Sequence, residues 1–171
     1  ALRVDTGSFS ILFFDVYMPC DTDYDSQNNE EYRCILAEII SVCEMYPSEN
    51  VVIGGDFNTC LERQNSLHTR SLKEFMNVNS FSCCLLHPAS SVDYTFESKI
   101  DGSRSTVDHF LLSEVLHNRL LKYSVIDSGE NMSDHVAILA EIEFEMFCAH
   151  ESPALDTGFT MSWKFADDGD I

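Results

Sequence analysis

Three short motifs hold most of the residues in this chain that could take part in catalysis. They are Gly-Gly-Asp-Phe-Asn at 54–58, Ser-Thr-Val-Asp-His at 105–109 and Ser-Asp-His at 133–135. Such acids, amides and imidazoles can position a water, hold a divalent cation and move a proton beside a phosphate. Each motif lies at the end of an apolar run. We therefore expect the following side chains to converge at one end of a sheet: Asp56, Asn58, Asp134 and His135.

The first motif follows the apolar run Asn50–Ile53, which ends at Gly54-Gly55. Asp56 and Asn58 are two residues apart, so strand alternation would point both side chains to the same side. The C-terminal ends of strands are where α/β proteins place their sites, and the glycines let the backbone approach a ligand. A Gly-Asp turn followed by a loop Asn is the structural alternative.

The other two motifs are predicted to form a hydrogen-bonded pair. Asp108 lies in the apolar run Val107–Leu112, and a buried acid needs a partner. His135 would be that partner, because a bond from Asp108 would fix the ring tautomer and stabilise the imidazolium. The neighbouring exposed carboxylate of Asp134 suits a hard cation such as Mg²⁺ or Mn²⁺. The structural alternatives are pairing of Asp108 with Arg104 and a turn Asp beside a strand-edge His.

These motifs resemble those of the endonuclease/exonuclease/phosphatase superfamily, which contains apurinic endonucleases and the endonuclease domains of LINE-type non-LTR retrotransposons. The segment Asp15–Pro19 is similar to the family's strand that ends in Asn-x-Tyr-x-Pro, with Asp15 where Asn is usual. The Asp-His form of the middle motif, and Thr59 directly after Asn58, resemble the retrotransposon branch most. The resemblance covers roughly residues 8–145.

The resemblance implies a metal-dependent phosphodiesterase that nicks DNA. By this resemblance Asp134 would bind Mg²⁺ or Mn²⁺, and Asp56 would position or deprotonate the attacking water. Asn58 would hold the water and the phosphate. His135, oriented by Asp108, would donate to the phosphate oxygens or move a proton.

Further residues are expected to contact the substrate. The resemblance implies that Tyr17 hydrogen-bonds the phosphate and that Ser105 supports the site. Arg63 and Arg70 follow the first motif and could line a DNA groove, although a solvated surface is an equal alternative. The remaining histidines have no ligand-like spacing and are predicted to be non-catalytic: His68, His87, His109, His117 and His150.

Hydrophobic periodicity predicts a layered α/β sandwich. The helices are predicted over Glu30–Met45 and Thr69–Val78. The strands are predicted over Ser8–Met18, Asn50–Ile53, Tyr94–Phe96, Val107–Leu112, Tyr123–Ile126 and His135–Phe144. We expect one domain at 1–148 and an acidic tail or linker at 149–171. Family members carry an N-terminal half with an early Asn and a metal-binding Glu. The chain is therefore expected to be the C-terminal portion of the domain, completed by that half or by a larger polyprotein.

Composition limits the possible partners. The net charge of −19, from 10 basic and 29 acidic residues, works against simple nucleic-acid binding. No apolar run approaches the ~18–20 residues of a membrane span. The seven cysteines form no C-x-x-C pair, so we expect a reducing compartment, the nucleus or cytoplasm.

Two alternatives to DNA nicking remain open. The first is another branch of the superfamily, acting on phosphoinositides or poly(A). The Val-Asp-His-Phe run at 107–110 argues against the inositol-phosphatase branch, which carries a Trp-Cys-Asp-Arg motif near the middle acid. The second is a non-catalytic remnant or binding module of the same fold, which the acidic charge favours.

Overall fold

The computed structural model describes residues 1–5, 9–21, 26–127, 129 and 133–144. The strands in this part of the chain are Leu2–Asp5 (β1), Ser10–Tyr17 (β2), Asn50–Asp56 (β3), Phe81–Cys83 (β4), Phe96–Glu97 (β5), Arg104–Ser105 (β6), Asp108–Ser113 (β7), Leu120–Ile126 (β8) and Ala137–Ile142 (β9). The helices are Ser26–Met45 (α1), Leu67–Val78 (α2) and the short Glu114–His117 (α3), with a 3₁₀ turn at Cys84–Leu86.

A five-stranded mixed sheet forms the centre, in the order β1-β2-β3-β7-β4. Strands β2 and β3 are parallel and are joined through α1, whereas β7 runs antiparallel to β3. The end of β2, the end of β3 and the start of β7 therefore lie side by side at one end of the sheet. There Tyr17 lies opposite Asp56, and Asp56 lies opposite Asp108.

The two faces of this sheet are covered by different layers. Alternate residues of the strands point to opposite faces, as the period of 2 requires. Leu12 and Ile53 belong to a core that includes residues of α1 and α2, such as Leu36 and Leu72. Ile11, Val52 and Phe110 belong to a second core with Tyr123 of β8 and Ile138 of β9, which form a separate antiparallel pair. The predicted layered α/β sandwich is confirmed.

Several element boundaries differ from the prediction. Helix α1 begins at Ser26 instead of Glu30. Strand β3 continues through both glycines to Asp56, because Gly54 and Gly55 pair with β2 on one side and β7 on the other. Strand β9 begins at Ala137, and His135 forms only an isolated bridge with Phe96. The predicted tail at 149–171 lies outside the described residues, so the domain boundary stays a prediction.

Among the described residues, no helix is long and apolar enough to cross a membrane.

The glycines of β3 allow close packing of the backbone beside the site. Gly55 has a φ of 138°, and a Cβ placed there would lie 2.0 Å from the carbonyl oxygen of Val16. Gly102 also has a positive φ, of 69°, but an added Cβ would have no neighbour within 4 Å. The two positions therefore compare a closely packed glycine of positive φ with one in open space.

We expect Gly55→Ala to lower the free energy of unfolding by about 3 kcal/mol, because backbone strain and a clash with a fixed carbonyl add. Gly102→Ala, the matched control in open space, is expected to lower it by about 1 kcal/mol. Urea unfolding followed by circular dichroism measures both values. Equal losses in the two variants would show that the contact with Val16 contributes nothing.

Candidate active site

Three ionisable side chains meet at the edge where β3 ends and β7 begins. Asp56 and Asp108 come from these two strands, and His135 comes from the segment before β9. One carboxylate or imidazole atom from each lies within 4.8 Å of the others. One residue from each of the three motifs is thus found at this end of the sheet.

Asp108 and His135 form the predicted hydrogen bond. Nδ1 of His135 lies 3.0 Å from Oδ2 and 3.3 Å from Oδ1 of Asp108. The Asp108 side chain is fully buried and the His135 side chain is 25% exposed. The bond from Asp108 is the main cause that raises the pKa of His135. The alternative partner Arg104 is instead bonded to Glu97 at 2.7 Å.

A buried threonine holds the two partners in place. The hydroxyl of Thr95 accepts hydrogen bonds from the backbone N–H groups of Val107 and Asp108, both at 3.0 Å. Its carbonyl accepts a bond from the N–H of Val136 at 2.7 Å, directly after His135 in the chain. Thr95 therefore links the strand that carries the acid to the segment that carries the imidazole.

Phe96 packs against the imidazole ring of His135. Its ring meets that of His135 edge to face, with centroids 5.0 Å apart, and the two residues form a backbone bridge. The sequence predicted no role for either Thr95 or Phe96. In the sequence, Thr95 lies between the aromatic residues Tyr94 and Phe96 in a predicted strand. This pattern is typical of any strand and does not indicate a functional site.

Asp56 is a buried acid with an unusual proton affinity. It is 4% exposed, and its Oδ1 accepts a bond from the backbone N–H of Asn58 at 2.7 Å. Burial raises its pKa to about 6, and the nearby charge of Asp108 acts in the same direction. The bond from Asn58 and the charge of His135 oppose this rise. A carboxylate of this kind can take up a proton near neutral pH.

Asn58 follows in a left-handed backbone conformation, with a φ of 49°. Asn adopts this conformation more readily than most residues. Its side-chain Nδ2 donates to the carbonyl of Met18 at 2.8 Å, and its Oδ1 accepts a bond from the thiol of Cys20 at 3.5 Å. The amide is thus fixed against the segment after β2, next to Asp56.

The other predicted site residues lie at different depths. Tyr17 is 78% exposed at the end of β2, beside Asp56 in the sheet. Ser105 is partly buried in β6. Arg63 is exposed and forms an ion pair with Asp21 at 3.3 Å, and Arg70 is exposed on α2.

Asp134, the predicted metal ligand, is partly buried. Its carbonyl accepts a bond from the N–H of Glu97 at 2.9 Å, and its charge helps to raise the pKa of His135. Within the described residues, the group of close ligand atoms consists of Asp56, Asp108 and His135 and does not include Asp134.

The side-chain oxygen and nitrogen atoms of Asp56, Asp108 and His135 are chemically suited to bind a divalent cation. Carboxylate oxygens are the ligands that Mg²⁺ and Mn²⁺ prefer, and Mn²⁺ also accepts imidazole. Two buried carboxylates, Asp56 and Asp108, share one imidazole here, and after burial itself the charge of Asp108 contributes to the rise in the pKa of Asp56. A divalent cation would offset the charge of the two carboxylates. Asp108 is the least suited ligand, because both of its oxygens already face His135.

Solved structures share the fold. A variant of the 3′ phosphatase NExo from Neisseria, solved with a product DNA hairpin, is 16% identical, with a TM-score of 0.65. An AP endonuclease from Archaeoglobus fulgidus is 18% identical, with a TM-score of 0.63. In both cases the match covers 83% of this chain and 64% of the solved chain. This chain therefore spans less than two thirds of the length of these structures.

A mannosyl-6-phosphatase from Bacteroides thetaiotaomicron shares the same architecture at 17% identity and a TM-score of 0.55, over 81% of this chain and 53% of that chain. At these identities the likeness establishes the fold alone, which is that of the endonuclease/exonuclease/phosphatase type. No curated protein sequence matches the chain significantly.

The sequence model of one family, described as endonuclease-reverse transcriptase, matches residues 11–139. This range contains all three motifs, and it runs from β2 into β9. The family description agrees with the resemblance to retrotransposon endonucleases seen in the motifs. The match covers well over half of the chain, and on this ground the protein belongs to the endonuclease-reverse transcriptase family, with the fold of the endonuclease/exonuclease/phosphatase superfamily.

Proposed function

We propose that this chain forms the catalytic part of a metal-dependent phosphodiesterase that nicks DNA. The observation that carries the proposal is the pairing of buried Asp108 with Nδ1 of His135, within 4.8 Å of a second buried acid, Asp56. A carboxylate that accepts a proton, beside an imidazole held in one tautomer, is a general base beside a general acid.

Asp56 acts as the base in this proposal. With a pKa raised to about 6, it is ionised at neutral pH and binds a proton from water more strongly than an ordinary Asp does. The amide of Asn58, fixed by its bond to Met18, orients the water and a phosphate oxygen. Tyr17, exposed at the same edge, donates a hydrogen bond to the phosphate.

His135 acts on the phosphate. Because Nδ1–H is directed at Asp108, the ring presents Nε2 on its other side. The raised pKa keeps a larger fraction of the ring protonated, so that Nε2–H can donate to a phosphate oxygen. Asp108 accepts this bond and stabilises the imidazolium, as an orienting acid does.

We propose Asp134 as the protein ligand of a divalent cation, Mg²⁺ or Mn²⁺. When bound, the cation would polarise the scissile phosphate and stabilise the leaving oxygen. Asp134 is not part of the described group of Asp56, Asp108 and His135, so in this proposal further ligands are contributed from elsewhere. An N-terminal half of the domain, or a larger polyprotein, would supply them.

DNA is the proposed substrate, and the charge of the chain determines how it would bind. A net charge of −19 repels phosphates, so association is expected to be slow and sensitive to salt. Contacts close to the site would come from Ser105, Arg63 and Arg70. Of the two arginines, Arg63 is partly neutralised by Asp21, so Arg70 would contribute more to binding.

A second candidate function is that of a non-catalytic remnant or binding module of the same fold. The net charge of −19 favours it, as does the absence of Asp134, the proposed metal ligand, from the described three-residue group. The two functions differ in one measurable property, which is turnover that depends on a divalent cation.

The expected activity is Mg²⁺-dependent relaxation of supercoiled plasmid, weak for the present chain and strong for an extended chain that includes the residues encoded immediately upstream. A cation held by one carboxylate keeps mostly water ligands and is bound loosely. His135→Ala in the extended chain is expected to reduce the rate about 100-fold or more, because a general acid is lost. EDTA should abolish nicking.

His87→Ala, which removes a partly buried imidazole outside the site, is the matched control and should nick at the rate of the unaltered extended chain. Strong EDTA-sensitive nicking by the present chain would refute the need for outside ligands. An inactive extended chain would refute the nuclease and leave the binding module.

The raised pKa of Asp56 predicts a pH dependence of stability, which can be measured without any nuclease activity. Because its pKa is raised from 3.8 to about 6 on folding, the folded chain binds this proton more tightly than the unfolded chain. The stability from Asp56 is therefore present below about pH 4 and lost as pH rises to 6. Between these values, the stability of Asp56→Asn relative to the unaltered chain is expected to rise by about 1–3 kcal/mol.

Urea unfolding at a series of pH values in EDTA measures this difference. Asp5→Asn, which alters an acid in an exposed strand, is the matched control and should show a much smaller change. A difference that stays constant or falls with pH would contradict the raised pKa of Asp56.

The Asp108 carboxylate is expected to set the pKa of His135. Asp108→Asn should lower this pKa more than Asp134→Asn does, because the bond from Asp108 is the main cause of the rise and the charge of Asp134 is the smallest. NMR titration of the His135 ring carbons, in EDTA, measures both shifts. Equal shifts in the two variants would contradict the dominant role of the hydrogen bond.

A further inference from the structure

We propose that His109 is a positioning residue of the same site, which holds the loop carrying Asn58 through a hydrogen bond to the carbonyl of Thr59. The inference rests on the proposed function, since it assigns a task to Asn58 in the reaction. His109 itself is fully buried and belongs to the histidines predicted from the sequence to have no catalytic role.

The alternation of β7 places His109 behind the site. Asp108 and His109 are neighbours in this strand, so their side chains point to opposite faces of the sheet. Asp108 points towards His135. His109 points towards the ring of Phe57, at a centroid distance of 5.7 Å, and the thiol of Cys83. One strand therefore supports the imidazole of the site on one face and the amide loop on the other.

The hydrogen bonds of His109 define its tautomer. Nε2 lies 2.8 Å from the carbonyl oxygen of Thr59, and a carbonyl only accepts, so Nε2 carries the proton. Nδ1 lies 3.8 Å from Sγ of Cys83, whose S–H can donate to the lone pair of a neutral ring. Burial lowers the pKa of His109 and raises that of Cys83, which keeps both groups neutral.

The loop over residues 57–59 is fixed at every position. The N–H of Phe57 donates to the carbonyl of Val107 at 2.9 Å. Asn58 is fixed by its own N–H on Asp56 and by its amide on Met18. The carbonyl of Thr59 is fixed by His109 at 2.8 Å.

This last bond lies directly after Asn58, whose φ of 49° is a conformation that few residues other than glycine adopt, although Asn does so more readily than most. Such a conformation persists only where the surroundings hold it. Without the bond from His109, the backbone after Asn58 would lose its anchor, and the amide would shift relative to Asp56. An apolar ring would fill the same volume, but it would leave the Thr59 carbonyl, in a residue 1% exposed, without this donor.

The test compares three variants in the extended chain, in which nicking is measured. His109→Phe keeps a buried ring and removes the donor. We expect kcat to fall about 10- to 100-fold while KM for plasmid changes less than about threefold, because the loop acts on the chemical step. His109→Gln places an amide N–H near the position of Nε2 and is expected to restore kcat to within about fivefold of the unaltered protein, since the donor is present again.

Cys83→Ala is the matched control. It removes the other polar neighbour of the ring and leaves the bond to Thr59 intact, so kcat should not change. A His109→Phe variant with unaltered kcat would overturn the proposal. So would a His109→Gln variant that folds but is as inactive as His109→Phe, because the residue would then act by shape alone.

A second readout separates this inference from the proposed function. In the present chain, ¹⁵N NMR of the His109 ring should show the Nε2–H tautomer, and the Asn58 side-chain amide should be slow to exchange. Its exchange should become faster in His109→Phe and stay slow in His109→Gln. If the extended chain does not nick, these measurements still decide whether His109 holds the loop. An Nδ1–H tautomer, or unchanged Asn58 exchange in His109→Phe, would overturn the proposal.

Discussion

The site depends on one requirement, which is that the buried carboxylate of Asp108 must have a hydrogen-bond partner. Asp108 starts a strand in the middle of the central sheet, where it is almost completely shielded from solvent, and an unpaired charge there would be very costly. Nδ1 of His135 lies within hydrogen-bonding distance of both of its oxygens, and this contact joins the segment before β9 to the end of the sheet. Thr95 stabilises this contact, because its hydroxyl binds the backbone at Asp108 and its carbonyl binds the backbone next to His135.

This arrangement has an electrostatic consequence for the second acid. Asp56 lies opposite Asp108 in the sheet, and it is also buried, but the imidazole is bonded to Asp108 and offsets the charge of Asp56 only from a distance. Burial is the main cause that raises the pKa of Asp56, and the charge of Asp108 adds to it, whereas the pKa of His135 rises because of its bond to Asp108. In the proposed mechanism, this bond makes His135 the acid and leaves Asp56 as the base. Two carboxylates share one imidazole here, and a divalent cation would offset their charge.

The positions of these groups depend on glycine and on close backbone contacts. Gly55 allows β2 and β3 to approach each other so closely that no side chain fits between them, and Asp56 follows at once. Asn58 then leaves the sheet in a left-handed conformation, in a loop that is held by bonds to the segment after β2 and to β7. Such strain is stable only within a packed surrounding, and it often occurs at functional sites. The rigid sheet therefore serves to fix two side chains relative to each other.

Local sequence was sufficient to single out Asp56, Asp108 and His135, which the structure brings together, and to predict the central elements. Apolar runs predicted β2, β3, β7 and both long helices, and a lone acid in an apolar strand predicted a partner for Asp108. The tertiary structure decided which partner it was, because Arg104 and His135 were both possible until strand pairing brought Phe96 and His135 together. It also continued β3 through two glycines, and it gave Thr95 and His109 their contacts. These contacts join residues far apart in the chain, and burial creates the need for them, so no local pattern contains them.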